Sequence, residues 1–170
     1  MFKINWVIAI VLLIGLSGCS LTGNTKINQP ENKSASQNNN VQSPVAAGKK
    51  LDLSNQGLTK VSQDIFNRTE LQELDLSGNN LTGALPAEIR QLQNLRVLKA
   101  GNNQMTGVPA EIGQLRKLEV LDLSNNQLTG LPYELGNLTQ LKILNISGNS
   151  YSVQDLEKIS ATLPNAQIIK

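Results

Sequence analysis

Few residues of this chain could carry out chemistry, and a pair of carboxylates is the first to consider. Asp52 and Asp75 occur in two copies of the same short segment, Leu-Asp-Leu-Ser. Two neighbouring carboxylates could act as a general acid and base or bind calcium. The chain has no histidine and only one cysteine, so the usual acid/base side chain, an intrachain disulfide and the ordinary zinc sites are missing. We therefore expect no cofactor and no metal site, and the sequence favours a protein that is not an enzyme.

The single cysteine, Cys19, follows a segment typical of an export signal. An apolar run from Trp6 to Leu16 follows Lys3 and is too short to span a bilayer comfortably, but it suits the core of a signal peptide. The residues Leu16-Ser17-Gly18-Cys19 resemble the lipobox of bacterial lipoproteins, whose cysteine is lipidated and becomes the mature N-terminus. The resemblance implies a signal peptide over residues 1–18 and membrane attachment through a lipid anchor at Cys19. The implied location is the periplasmic or cell-surface side of a bacterial envelope, and an uncleaved N-terminal anchor is the alternative.

The composition argues against nucleic acid as a partner. Charged residues make up 16% of the chain and the net charge is +2, which gives no strong field for a polyanion. Aromatic residues make up 3%, which leaves few platforms for stacking bases or sugar rings. We therefore predict that the chain binds no nucleic acid.

Residues 19–47 are predicted to form a disordered polar tether. Asn, Gln, Ser, Thr, Lys and Pro dominate this segment, which cannot bury enough apolar surface to offset the entropy of ordering. A flexible coil of about 28 residues has a root-mean-square span of about 30 Å. That span would hold a small domain clear of lipid headgroups.

The remaining residues, 48–170, consist of repeats and are predicted to form one domain. The three most regular copies contain 24, 23 and 23 residues. Decay of the pattern at the ends is expected, because a terminal repeat has only one neighbour. The predicted repeats are 48–70, 71–94, 95–117, 118–140 and 141–162, with a terminal strand over 163–170.

Each copy follows the spacing Leu-x-x-Leu-x-Leu-x-x-Asn-x-Leu. Leu121 and Leu123 alternate with Asp122, so one face of a short strand is buried and the other faces outward. A later Leu131-Pro132 step returns the chain along the opposite side. The chain therefore resembles leucine-rich repeat proteins of the 23-residue class. The resemblance implies an α/β fold: a right-handed solenoid with a concave parallel sheet of about six strands, convex helical or 3-10 turns, and a C-terminal capping helix.

An asparagine recurs at the turn after each regular strand. A bend leaves backbone N–H and C=O groups unpaired, and an amide side chain can both donate and accept hydrogen bonds. The family resemblance implies a buried asparagine ladder, so we interpret these residues as structural and not as a ligand site. They are Asn79, Asn103, Asn126 and Asn149.

Two segments depart from the leucine pattern, and each leads to a local prediction. Ala100 and Met105 replace core leucines, which predicts that this is the softest layer of the stack. Ser152-x-x-Asp155 resembles a capping box, and apolar residues at helical spacing predict a helix through Leu163 that ends at a proline.

The outward strand positions are the candidate interaction surface. Lys99 is expected between Asp75 and Asp122, where it would relieve their repulsion. Three aliphatic residues at one position of successive strands would form a small apolar patch, although their high strand propensity offers another explanation. The candidate partner-binding residues are Val97, Lys99, Val120, Asp122, Ile143 and Asn145.

These features favour a lipid-anchored envelope module that binds a protein or peptide partner on the concave face. One alternative is a surface adhesin for a glycan or host ligand, although the chain has few aromatic residues. The other is an envelope enzyme that uses Asp52 and Asp75. An enzyme would need a cleft, an oriented base and an oxyanion donor, whereas a flat sheet leaves both carboxylates solvated.

Overall fold

A computed structural model describes residues 49–170, in which short parallel strands alternate with 3-10 turns. The predicted signal peptide, Cys19, the tether and Gly48 lie outside the described residues. No helix between residues 49 and 170 is long and apolar enough to cross a membrane.

The main sheet has six parallel strands that follow one another in chain order. Leu74 on the second strand lies opposite Leu51 on the first and Leu98 on the third, and the same register continues to the last strand. Each strand therefore contributes a side chain at the same depth of the core. The strands are β1 Lys50–Asp52, β2 Glu73–Asp75, β4 Val97–Lys99, β6 Val120–Asp122, β7 Ile143–Asn145 and β8 Gln167–Ile169.

The inward leucines hold the stack together. Leu74, Leu98, Leu121 and Leu144 are fully buried, whereas Leu51 at the N-terminal end of the sheet is only partly buried. Each complete burial of a leucine side chain stabilises the fold by about 2 kcal/mol. The repeated leucines thus form one continuous core along the stack.

On the convex side, one 3-10 turn per repeat closes each coil. The last three of the four turns begin directly after Pro86, Pro109 and Pro132, whose φ angles of −58°, −70° and −69° suit the start of a turn. Each turn buries at least one aliphatic side chain against the core. The turns span Gln63–Ile65, Ala87–Gln91, Ala110–Gln114 and Tyr133–Asn137.

A second, two-stranded parallel sheet was not anticipated from the sequence. It joins β3, Thr82–Gly83, to β5, Gln104–Met105, and lies beyond the turns that follow the main strands. The extra residue of the 24-residue copy, Ala84, comes directly after β3.

The C-terminal helix α1 spans Val153–Ser160, and its first turn is capped as predicted. The Ser152 side chain accepts a hydrogen bond from the backbone N–H of Asp155 at 3.3 Å. The prediction that the helix continues through Leu163 was wrong. Leu163 is buried, but it lies beyond the helix, between two turns, and a residue that precedes proline avoids the α conformation.

The layer that contains Ala100 and Met105 is closed to solvent. Both side chains are fully buried, although each replaces a core leucine of the other repeats. The expected softness of this layer stays a prediction.

Candidate interaction surface

An apolar column runs across the middle of the concave sheet. Val97 on β4 lies opposite Val120 on β6, which lies opposite Ile143 on β7, and all three side chains are half-buried. Neighbouring strands are about 4.8 Å apart, so the three side chains form a continuous surface. We call Val97, Val120 and Ile143 the apolar column.

The second set of predicted contact residues lies two positions further along each strand. Two of its members, Asp122 and Asn145, are held by hydrogen bonds to the turn that follows the strand. Asp122 Oδ1 accepts hydrogen bonds from the backbone N–H and the hydroxyl of Ser124, at 2.9 and 2.7 Å. Asn145 makes the same two bonds with Ser147, at 3.2 and 2.8 Å. These two side chains therefore fasten the turn after the strand, and only part of their polar capacity remains for a partner.

We did not predict these hydrogen bonds from the sequence, although in four copies an acceptor side chain is followed two residues later by serine. Asp52 and Ser54 make the same bonds, and hydrogen bonds from Ser54 lower the pKa of Asp52 below its ordinary value. The third copy has Lys99 and Gly101 instead. A Cβ atom at position 101 would lie 2.8 Å from the Ser124 hydroxyl, so glycine leaves room for the hydrogen bond between Ser124 and Asp122 in the next repeat.

Lys99 lies at the predicted position between Asp75 on β2 and Asp122 on β6, but its ion pairs form on the β2 side alone. Its ammonium group lies 3.4 Å from Glu73 and 3.5 Å from Asp75, and it makes no ion pair with Asp122. Partial burial opposes the charge, but the Asp75 and Glu73 carboxylates outweigh it and raise the pKa of Lys99 above its ordinary value. Glu73 also pairs with Lys50 at 3.1 Å, so this end of the sheet neutralises its own charges.

The two carboxylates considered for catalysis lie side by side but are engaged separately. Asp52 and Asp75 occupy opposed positions on β1 and β2, and each accepts hydrogen bonds from its own serine. The pKa of Asp52 is lowered mainly by the hydrogen bonds from Ser54, and Asp75 is not among the groups that shift it. Within residues 49–170, no three side chains of metal-binding type come close enough together to hold a metal ion.

A charged row borders the apolar column at the start of the strands. Glu119 accepts hydrogen bonds from Arg96 Nε and Lys142 Nζ, both at 2.6 Å. The bonds from Lys142 and then Arg96 lower the pKa of Glu119, which therefore stays ionised. Arg96 and Lys142 keep 55% and 69% of their side chains exposed, so they remain accessible to a partner.

The four ladder asparagines lie in the turns, where they bond to the backbone. Asn126 Oδ1 accepts from the N–H of Met105 at 2.9 Å, and its amide donates to the carbonyls of Ala100, Leu123 and Ser124 at 3.0 to 3.1 Å. Asn79, Asn103 and Asn149 follow the same pattern, with Asn149 less buried than the others. These bonds leave the amides little capacity for a ligand.

The family comparison matches this repeat architecture directly. Residues 49–169 match the family described as leucine-rich repeat region. The chain belongs to the leucine-rich repeat family. No curated protein sequence matches it significantly.

Solved leucine-rich repeat structures support the assignment. A leucine-rich repeat protein of Leptospira interrogans is 33% identical with a TM-score of 0.58, over 72% of this chain and 37% of that one. The ectodomain of the Arabidopsis thaliana receptor kinase GASSHO1/SCHENGEN3 is 34% identical with a TM-score of 0.61, over 71% and 15%. An internalin of Listeria monocytogenes is 26% identical with a TM-score of 0.57, over 65% and 31%. The match thus spans less than half of each of these proteins.

Leucine-rich repeat proteins are typically binding modules and not enzymes. The plant ectodomain was solved in complex with Casparian strip integrity factor 2. In the present chain, the concave sheet combines an apolar column with charged residues that already pair with one another. Such a surface is suited to recognition.

Proposed function

We propose that this chain is a lipid-anchored binding module of a bacterial cell envelope that holds a protein or peptide partner on its concave sheet. The observation that carries the proposal is the apolar column, which stays half-buried on an otherwise polar sheet. Removing apolar surface from water contributes about 25 cal/mol per Å², so a partner that covers the column gains affinity there.

The surroundings of the column favour selective recognition. The row of Arg96, Glu119 and Lys142 lies on one side, and Lys99 with its two carboxylates lies near the N-terminal end. Charged groups around an apolar centre contribute mainly to specificity and to the rate of encounter. The partner of the plant neighbour supports a polypeptide ligand for this chain as well.

Val120→Glu is expected to reduce partner capture strongly. The substitution places a carboxylate in the centre of the apolar column, where a bound partner would have to desolvate it, at a loss of about tenfold or more in affinity. The measurement is a pull-down of envelope extract with wild-type and variant chains, followed by identification of the captured protein. Thr129→Glu adds the same charge to an exposed turn and serves as the control. Equal capture by the wild type and Val120→Glu would exclude the apolar column as the interface.

The proposed anchor makes a second prediction. Intact-mass spectrometry of the wild-type protein from membranes is expected to show a chain that begins at Cys19 and carries acyl groups. Cys19→Ala should retain residues 1–18 and gain no acyl mass, because the acceptor thiol is missing. Ser20→Ala, which keeps the thiol, should be processed as the wild type is. A wild-type chain that starts at Met1 without acyl mass would instead indicate the uncleaved membrane anchor.

A further inference from the structure

An open groove of about 400 Å³ lies beside the apolar column, at the edge of the sheet where its central strands begin. Gln72 precedes β2, Arg96 precedes β4 and Glu119 precedes β6. The other lining residues lie in the turns that lead from the convex side to the next strand. We call this feature the strand-start groove. Its lining residues are Gln72, Asn94, Arg96, Lys117, Glu119 and Gln140.

The groove contains a cation that is held only by neutral groups. Lys117 Nζ donates to the side-chain oxygen of Asn94 at 2.8 Å, and no carboxylate among residues 49–170 lies within 4.0 Å of it. The adjacent Arg116 likewise bonds a neutral acceptor, the Asn137 carbonyl, at 2.6 Å. Arg96, by contrast, is paired with Glu119. An incoming carboxylate would give Lys117 a charge-assisted bond, which is about twice as strong as one to a neutral acceptor.

Two further features limit the kinds of ligand that the groove could bind. The side-chain amides of Gln72 and Gln140 have no partner within the described part of the chain, and each offers both a donor and an acceptor, as a peptide backbone requires. Glu119 also lies in the groove, but its negative charge is paired with Arg96 and Lys142, so the charge of Lys117 is not cancelled there. A flat bilayer does not match the recessed shape.

We infer that the strand-start groove binds an extended, acidic segment of a partner protein, with one carboxylate of that segment on Lys117. The groove shares Arg96 and Glu119 with the charged row but contains no residue of the apolar column, so this inference does not depend on the apolar column.

The inference can be tested with a synthetic peptide. Fluorescein-labelled (Ser-Glu)₄ is titrated with the full chain, solubilised in a non-ionic detergent, and binding is followed by anisotropy at low ionic strength. The peptide contains no apolar side chain, so it reports on the groove and not on the apolar column. We expect saturable binding that Lys117→Gln weakens about tenfold, as is typical for loss of a charge-assisted contact.

Matched controls distinguish binding in the strand-start groove from general electrostatic attraction to the protein. Lys60→Gln removes an exposed lysine that does not line the groove and should leave the affinity unchanged. The neutral peptide (Ser-Gln)₄ should not bind, and unchanged thermal unfolding of Lys117→Gln would show that its fold is intact. No binding of (Ser-Glu)₄, equal binding of both peptides, or equal losses from the two lysine substitutions would each overturn the inference. Lys117-dependent binding to phosphatidylglycerol vesicles, without peptide binding, would assign the groove to a lipid surface and also overturn it.

Discussion

Gly113→Ala is expected to lower the free energy of unfolding by about 3 kcal/mol, near the upper end of the range for overpacked interiors. Gly113 lies in the convex turn Ala110–Gln114, where the next repeat approaches closely. A Cβ atom at this position would lie 2.2 Å from the backbone oxygen of Glu134 and 2.7 Å from its carbonyl carbon. Backbone atoms cannot rotate away, so the two repeats would have to separate. Chemical denaturation followed by circular dichroism measures the change.

The following repeat provides the control for this substitution. Gly136 occupies the same repeat position, but a Cβ atom there would meet the side-chain hydroxyl of the exposed Thr162, at 2.2 Å. That side chain can adopt another rotamer, so Gly136→Ala should cost less than about 1 kcal/mol. Equal losses from the two substitutions would show that the close approach of the turns at Gly113 does not limit stability.

Asn126→Ala is expected to lower the free energy of unfolding by about 1–3 kcal/mol. The side chain is 8% exposed and makes four hydrogen bonds to the backbone. Alanine would leave the Met105 N–H and three carbonyl groups without these bonds in a site that water reaches poorly. The loss should appear in thermal and chemical unfolding.

Asn137→Ala is the matched control for the asparagine ladder. Asn137 is exposed, and its backbone carbonyl, which the substitution keeps, accepts the bond from Arg116. Its removal should change stability by less than about 0.5 kcal/mol, as is usual for surface substitutions. If Asn126→Ala unfolds at the same point as the wild type, the buried hydrogen bonds contribute nothing and the structural assignment fails.

Much of the repeat fold was predictable because it depends on interactions between residues that are close in the sequence. The strand leucines, the prolines before the convex turns and the Ser152 cap each act over a few neighbouring residues. The residue before each ladder asparagine is also predictable from local chemistry, because its backbone is left-handed. Asn102 and Asn125 have φ angles of +56° and +51°, and Gly78 and Gly148 have φ angles of +66° and +68°, a conformation that asparagine and glycine adopt more readily than most residues.

The interaction surface was less predictable because several pairings fit the same register. Lys99 is flanked by Asp75 on β2 and by Asp122 on β6. Asp122 is engaged by Ser124, whereas Glu73 adds a second carboxylate beside Asp75, so the lysine turns toward β2. Competition of this kind depends on the surroundings of every partner, which spacing alone does not describe.

By itself, the sequence determined the solenoid, the strand register and the outward position of the apolar column, because the leucine period leaves one arrangement that places the repeated leucines in a common core. Tertiary structure alone decided which charges pair, where the strand-start groove lies and how closely Gly113 approaches Glu134. These features join residues of different repeats, about 23 positions apart in the chain. Their geometry is set by the distance between stacked coils, and that distance exists only once the repeats have packed together.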